Sequence, residues 1–223
     1  MKGAFSSPDG VLDRMILNSL FPDTTYANES GGDPDVIPEL TYEEYLNFHR
    51  TYYHPSNSYI YLYGNMDMEE KLNWLDQEYL SAYDRKEVDS EIHLQKPFEQ
   101  MHDITKPYSI ASNESTEDNT YLSYNKVIGT SLDEKLYLAF QILDYALLSA
   151  PGAPITKALL EAGIGKDISG AYDSSTYQPI FSIVAKNANE EQKAEFVKVI
   201  EDTLKAIVEN GMDKKALEAG INY

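Results

Sequence analysis

Four histidines are the residues of this chain whose chemistry most directly suggests a metal site. They are His49, His54, His93 and His102. His49 and His54 are separated by a spacing that an ideal α-helix turns into about 140° around its axis. Zinc-binding helices instead use His-Glu-x-x-His or His-x-x-Glu-His, and the sequence contains neither pattern. The sequence therefore nominates no zinc ligand and no catalytic residue in this chain.

Nucleophile and phosphate motifs are equally absent. The chain has no cysteine, no Gly-x-Ser-x-Gly and no Gly-Lys-Ser/Thr. Gly163-Ile164-Gly165 lacks the third glycine of a dinucleotide loop and follows a predicted helix rather than a strand. Adjacent glutamates fall in the first turns of predicted helices, where they favour the positive end of the helix dipole. A structural role is therefore sufficient for them.

Tyrosine is unusually frequent, with 18 residues in the chain. Seven of them cluster in one stretch, at Tyr42, Tyr45, Tyr52, Tyr53, Tyr59, Tyr61 and Tyr63. Tyrosine rings offer contact area with a polar tip, which suits a peptide-binding wall. Alternating tyrosines are also ordinary residues of an amphipathic strand. The sequence leaves both interpretations open.

The charge balance restricts the partners. Asp and Glu number 37 against 18 Lys and Arg, which gives a net charge of -19. Nucleic acids and anionic membrane surfaces would repel such a chain, so we expect neither as a partner. No apolar run approaches the roughly 18 residues of a membrane span. Because cysteine is absent and no signal-peptide core is evident, we expect a cytoplasmic location.

The hydrophobic pattern predicts helices alternating with short strands. Apolar residues recur at helical spacing within 11–20, 41–53, 67–79, 131–149, 154–163, 189–210 and from 213 onward. Runs typical of strands occupy 57–64, 107–112, 120–128, 168–177 and 180–186. Between these elements, residues 84–102 form a charged stretch without periodicity that contains Pro97. We interpret that stretch as an interdomain linker.

Five phrases of the sequence, in order, resemble one family. They are Met1-Lys2-Gly3-Ala4-Phe5-Ser6-Ser7-Pro8, Ser30-Gly31-Gly32-Asp33-Pro34, Ile37-Pro38-Glu39-Leu40-Thr41, Phe48-His49-Arg50-Thr51-Tyr52-Tyr53-His54-Pro55-Ser56-Asn57 and Tyr63-Gly64-Asn65. Together they resemble the presequence-protease branch of the pitrilysin/insulinase zinc metallopeptidases. The match is dense over residues 1–65, and the predicted element order remains compatible to residue 223.

The resemblance implies an α/β (α+β) fold with antiparallel sheets and helices packed on one face. Two consecutive metallopeptidase-type domains are expected, the first incomplete: residues 1–83 as the C-terminal part of a catalytic-type domain, 84–102 as linker, and 103–223 as the N-terminal part of a second domain. The family's His-x-x-Glu-His helix and its glutamate ligand are expected upstream of Met1. Zinc is thus expected in the full-length protein and none in this chain. The loop Ser30, Gly31, Gly32 and Asp33 is a possible substrate-chamber loop.

Two functions follow from the resemblance. In the first, the chain is an inactive fragment of a zinc-dependent metalloendopeptidase or oligopeptidase that encloses and hydrolyses unfolded peptides. In the second, it is a non-catalytic peptide-binding or scaffold member of the same fold. We also expect an isolated fragment to self-associate, because the strand at 57–64 would lack neighbours and open strand edges invite pairing.

Overall fold

A computed structural model describes residues 6–222 and divides the chain into two compact units. Unit 1 combines the residues before 30 with those from Leu94 onward, and unit 2 comprises Ser30–His93. The first five residues of the Met1–Pro8 phrase lie outside the described residues.

An antiparallel sheet of three strands organises unit 1. Its strands are β1 (Thr120–Val127), β2 (Asp167–Asp173) and β3 (Ile180–Ala188), in the order β1-β3-β2. Ile183 in the central strand lies opposite Tyr124 of β1 and Gly170 of β2. The predicted hairpin is present as β2 and β3. The fold class expected from the sequence, mixed helix with antiparallel sheet, is confirmed.

Most helices of unit 1 cover one face of this sheet. They are α4 (Glu134–Asp144), a π-helical continuation (Tyr145–Ser149), α5 (Pro154–Glu161), α6 (Lys193–Asn210) and α7 (Lys214–Asn222). Side chains at alternate strand positions meet these helices, as the two-residue period of a strand requires. The fully buried members of the core are Ile155, Leu159, Ile164, Ile183, Ala185, Phe196, Ile200 and Ala188.

Helix α1 (Pro8–Leu20) packs on the opposite face. Ser7 caps it and Pro8 occupies its first turn, both of which favour helix initiation. Ile16 and Phe21 are buried together with Ile180 of β3. At the other end of α1, the Lys186 Nζ atom lies 2.7 Å from an Asp9 carboxylate oxygen. The sheet of unit 1 is therefore partly covered on its second face by residues from the start of the chain.

Gln95 connects separate parts of unit 1, although it lies in the stretch interpreted as a linker. Its side chain is 6% exposed. Its Oε1 atom accepts a 3.0 Å hydrogen bond from the backbone N–H of Asp23, and its Nε2 atom donates to the Asp23 carboxylate at 2.8 Å. The Gln178 side chain bonds to the N–H and C=O of Gln95. The stretch is thus anchored here, although residues 84–94 have no regular structure.

Unit 2 has helices but no buried side chain. Its main elements are α2 (Tyr42–Tyr52) and α3 (Met68–Glu78). Thr41 and Glu44 form the reciprocal capping box expected at the start of α2. The side chains of residues 30–93 are all partly or fully exposed, including Trp74 of α3, the single tryptophan of the chain. Helix caps rather than a packed core therefore define the local structure of unit 2.

Two of the predicted strands are wrong. Residues 58–63 and 107–112 form no ladder with any other part of residues 6–222. A strand is stabilised by hydrogen bonds to a neighbouring strand, and no described strand lies alongside either run. In the second run, Tyr108 instead bonds through its hydroxyl group to the backbone and side chain of Asn119.

Compactness also divides the chain differently from the predicted boundaries. The sequence-based borders lie at 83/84 and 102/103, whereas the units exchange at 29/30 and 93/94. Helix α1 accounts for the first difference because it packs on the sheet of unit 1. Gln95 accounts for the second. The assignment of 1–83 and 103–223 to two successive peptidase-type domains stays a prediction.

Candidate functional site

The predicted chamber loop, Ser30–Asp33, is a turn in unit 2 that leads into a short 3-10 helix (Ile37–Glu39). Ser30 and Gly31 are exposed. The Asp33 side chain accepts a 2.9 Å hydrogen bond from the N–H of Asp35, and the Asp33 carbonyl accepts from the N–H of Ile37 at 2.8 Å. The loop is therefore fixed at Asp33 and open at Ser30.

Gly32 is the position where this loop requires glycine. Its φ of 83° lies in the left-handed region that other residues rarely adopt. A Cβ atom on Gly32 would lie 2.7 Å from the Cδ1 atom of Ile37. Both the backbone and the neighbouring side chain therefore disfavour substitution here.

The histidines are separated by the fold and have local roles. In unit 2, His49 stacks on Tyr53 with ring centroids 4.7 Å apart, and His54 packs edge-on against Tyr83 at 5.3 Å. The His54 Nδ1 atom accepts a 3.1 Å hydrogen bond from the N–H of Ser56, which caps the turn after α2. In unit 1, the ring of His102 lies 4.2 Å from that of Phe98.

Zinc has no fitting ligand set in the part of the chain that the structure describes. Among residues 6–222, no group of three or more His, Cys, Asp or Glu side chains is placed to hold a metal ion. Structural and catalytic zinc sites need at least three such protein ligands around one point. We therefore assign no step of metal chemistry to this chain.

A polar cluster that the sequence analysis missed surrounds Asp118, at the entrance to β1. Asp118 and Asn187 both have positive φ, 54° and 56°. The Asp118 carboxylate accepts hydrogen bonds from Lys166 at 2.6 Å and from the Asn189 amide at 2.9 Å. The bond from Lys166 holds the pKa of Asp118 below its ordinary value. These contacts join the starts of β1 and β2 to the end of β3, so the cluster has a structural role.

A second polar pair lies between α4 and β2. The pKa of the Asp144 carboxyl is raised by desolvation and partly offset by a hydrogen bond from the Tyr172 backbone. The Oδ1 atom of Asp144 and the hydroxyl of Tyr172 are buried without a hydrogen-bond partner among the described residues. Burial also raises the pKa of Tyr172. Nothing in the sequence marks this pair, because neither residue belongs to a motif.

Comparison with known families identifies the chain. The family model described as the peptidase M16 inactive domain matches residues 39–223. The chain therefore belongs to the peptidase M16 family, in the part that the family description calls inactive.

Sequence relatives confirm the resemblance to presequence proteases. The chain is 52% identical to protein HypA of Clostridium perfringens, over 100% of the chain and 23% of the relative. It is 37% identical to presequence protease 1 (chloroplastic/mitochondrial) of Arabidopsis thaliana, over 100% of the chain and 21% of the relative. The mitochondrial presequence protease of Mus musculus is 33% identical over 98% and 21%. The chain thus spans about a fifth of the length of the curated relatives it matches.

Solved structures share the fold at low sequence identity. A conserved protein of Enterococcus faecalis V583 has a TM-score of 0.72 at 11% identity, covering 98% of this chain and 49% of the other. The peptidase M16 inactive domain from Pseudomonas fluorescens has a TM-score of 0.69 at 18%, over 98% and 51%. A chain of complex III2 from Candida albicans has a TM-score of 0.67 at 14%, over 98% and 52%. These likenesses show the fold alone.

Proposed function

We propose that the complete protein is a zinc-dependent peptidase that encloses and hydrolyses unfolded peptides, and that this chain is a non-catalytic part of it. The observation that carries the proposal is the 37% identity to presequence protease 1 of Arabidopsis thaliana along the whole chain. In this proposal, the zinc ligands and the catalytic glutamate belong to other parts of the protein. The described residues offer zinc no ligand set, which is consistent with that division.

The charge of the chain supports basic peptides as substrates. With a net charge of -19, the chain attracts cationic peptides over distances of about a Debye length. Exposed tyrosines in unit 2 add apolar contact area with hydrogen-bonding tips. We therefore propose unfolded, basic segments as the substrate class.

Metal analysis and peptide cleavage test the proposal directly. The complete gene product should bind close to one zinc per chain and cleave a short basic unfolded peptide, with loss of cleavage on chelation and recovery on zinc addition. The 223-residue chain, as the control, should do neither. Stoichiometric zinc or cleavage by the chain alone would overturn the assignment of the chemistry to other parts.

A non-catalytic scaffold of the same fold is the alternative. It is favoured by the description of the matched family as inactive and by a complex III2 chain with the same fold. The same experiment separates the two functions. Peptide binding by the complete gene product without zinc and without cleavage would select the scaffold.

We also propose that the loop Ser30–Asp33 faces the bound peptide. Its support is the exposure of Ser30 and Gly31 next to the fixed Asp33 turn. Ser30→Trp should raise the KM of the complete protein for the peptide and leave its thermal stability unchanged. An unchanged KM would reduce the loop to a structural turn.

The cytoplasm is our proposed location. Its support is compositional: the chain has no cysteine, as expected where disulfides do not form. None of the helices among residues 6–222 is long and apolar enough to cross a membrane. Fractionation of the source cells with an antibody to the chain tests the location.

A further inference from the structure

The segment Ser58–Tyr63 is an extended run with an uncovered aromatic face. Tyr59 is 105% exposed, and Tyr61 and Tyr63 are each 85% exposed. Its sequence alternates aromatic and aliphatic residues, as a strand with two distinct faces does. No other strand among residues 6–222 pairs with it.

The segment has the backbone geometry of a strand. Ser58 is extended, with φ of -137° and ψ of 152°. The rings of Tyr61 and Tyr63 are parallel within 7° and 6.5 Å apart. Two residues of a β-strand rise about 6.6 Å, so these rings occupy successive positions on one face. The run therefore has strand geometry without a strand partner.

Hydrogen bonds anchor the start of the segment. Asn57 donates from its side chain to the carbonyl of Tyr52 at 2.9 Å and accepts from the Ser90 hydroxyl at 2.5 Å. The Ser58 hydroxyl donates to the carbonyl of Pro55 at 2.9 Å. These contacts fix the direction in which the chain leaves α2. Pairing here would thus require less ordering of the backbone than pairing of a free loop.

The segment is free of charge in a strongly acidic chain. Residues 57–65 contain no Asp, Glu, Lys or Arg, whereas the whole chain has a net charge of -19. Two copies approaching through most surfaces would bring acidic side chains together. At this segment they would bring together only neutral ones, which removes a local repulsion.

The order of its residues is self-complementary. Residues 59–63 read Tyr-Ile-Tyr-Leu-Tyr, which is nearly symmetric about Tyr61. An antiparallel pair centred on Tyr61 places Tyr59 opposite Tyr63 and Ile60 opposite Leu62. Such a pair uses the same patch on both copies, as a two-fold symmetric interface requires.

We propose that Ser58–Tyr63 pairs antiparallel with the same segment of a second copy of this chain, centred on Tyr61. Half-burial of the three tyrosines would cover about 300 Å² per copy, since each ring buries roughly 150–250 Å² at most. Stable interfaces bury about 800 Å² per partner. The dimer is therefore weak and forms in a concentration-dependent manner.

Disulfide trapping tests both the pairing and its register, because the natural chain contains no cysteine. Residues opposite each other in antiparallel strands have Cα atoms about 4.5–5.5 Å apart, within the range a disulfide spans. Tyr61→Cys should oxidise to a covalent dimer at least tenfold faster than Val208→Cys. Val208 is the matched control because it is also 85% exposed but lies on α6.

Mixing two variants separates antiparallel from parallel pairing. An equimolar mixture of Tyr59→Cys and Tyr63→Cys should give mainly the mixed dimer rather than either homodimer. Excess homodimers would indicate parallel pairing and overturn the register. Equal rates for Tyr61→Cys and Val208→Cys, together with a monomer in sedimentation of the natural chain at high concentration, would overturn the pairing itself.

Discussion

At the scale of single residues, Asp144 is the carboxyl whose surroundings act most clearly on stability. Desolvation raises its pKa above the value in an unfolded chain. The folded state therefore binds the proton more tightly, and stability decreases as pH rises from the unfolded pKa through the raised folded pKa. The ionised form is the one that burial penalises.

Asp144→Asn should remove this pH dependence. Asparagine has a similar shape, retains an oxygen that accepts from the Tyr172 backbone and carries no charge. The variant should melt at a higher temperature than the natural chain at pH 7 and show no such gain near pH 3. Thermal melts followed by circular dichroism across this range provide the measurement.

Asp202→Asn is the control with the opposite sign. A hydrogen bond from Lys198 lowers the pKa of Asp202, so its contribution is present above the unfolded pKa and is lost as pH falls through the lowered value. That variant should gain nothing at pH 7. A gain at pH 7 for Asp202→Asn, or none for Asp144→Asn, would contradict the assignment.

Gln95 shows why some residues of the structure escape prediction. The charged, aperiodic sequence around it predicts an exposed linker. Its burial depends on Asp23 and Gln178, which are 72 and 83 residues away in the sequence. The same holds for the Asp118 cluster, whose partners Lys166 and Asn189 come from distant turns. Local sequence carries no signal for such long-range hydrogen bonds.

At the scale of elements, α5 offers a direct comparison between a buried and an exposed leucine. Leu159 is 0% exposed and Leu160 is 47% exposed. Leu159→Ala should decrease the free energy of unfolding of unit 1 by about 2–5 kcal/mol, because it leaves a cavity under α6. Leu160→Ala should change it by less than about 0.5 kcal/mol. Urea denaturation of both variants measures the difference, and similar losses would contradict the described core.

Helices and strands differed in how well the sequence predicted them. Helix α2 begins at Thr41 with the expected capping box because all of its determinants are local. The segment 58–63 has equally clear strand periodicity, yet a strand also needs a neighbour, which the periodicity does not specify. The resemblance to the peptidase family predicted the fold class, whereas the packing of α1 on β3 was not expected.

At the scale of the whole molecule, residues 84–94 should be the first site of proteolysis. They lack regular structure, and their side chains are exposed or partly exposed, up to the buried Gln95. A broad-specificity protease at low concentration should cut there before it cuts α4 or α6. Mass spectrometry of early products locates the cuts, and primary cleavage within Glu134–Asp144 or Lys193–Asn210 would contradict the prediction.

The two cleaved pieces should remain together. Helix α1 stays packed on the sheet through Ile16 and Phe21, and the N–H of Tyr177 donates to the Tyr26 hydroxyl at 2.9 Å. Co-elution in gel filtration without denaturant is therefore expected. Separation of the pieces would show that α1 is held less firmly than its buried residues indicate.

The position of Trp74 gives the chain an optical property of its own. Because this tryptophan lies on α3 in unit 2 and is 59% exposed, its fluorescence reports on the unit without a buried core. Its emission is expected near the wavelength of indole in water even in the native chain. Unfolding of the three-stranded sheet and its helices would then leave the tryptophan signal nearly unchanged. A fluorescence melt of this chain would follow the wrong unit.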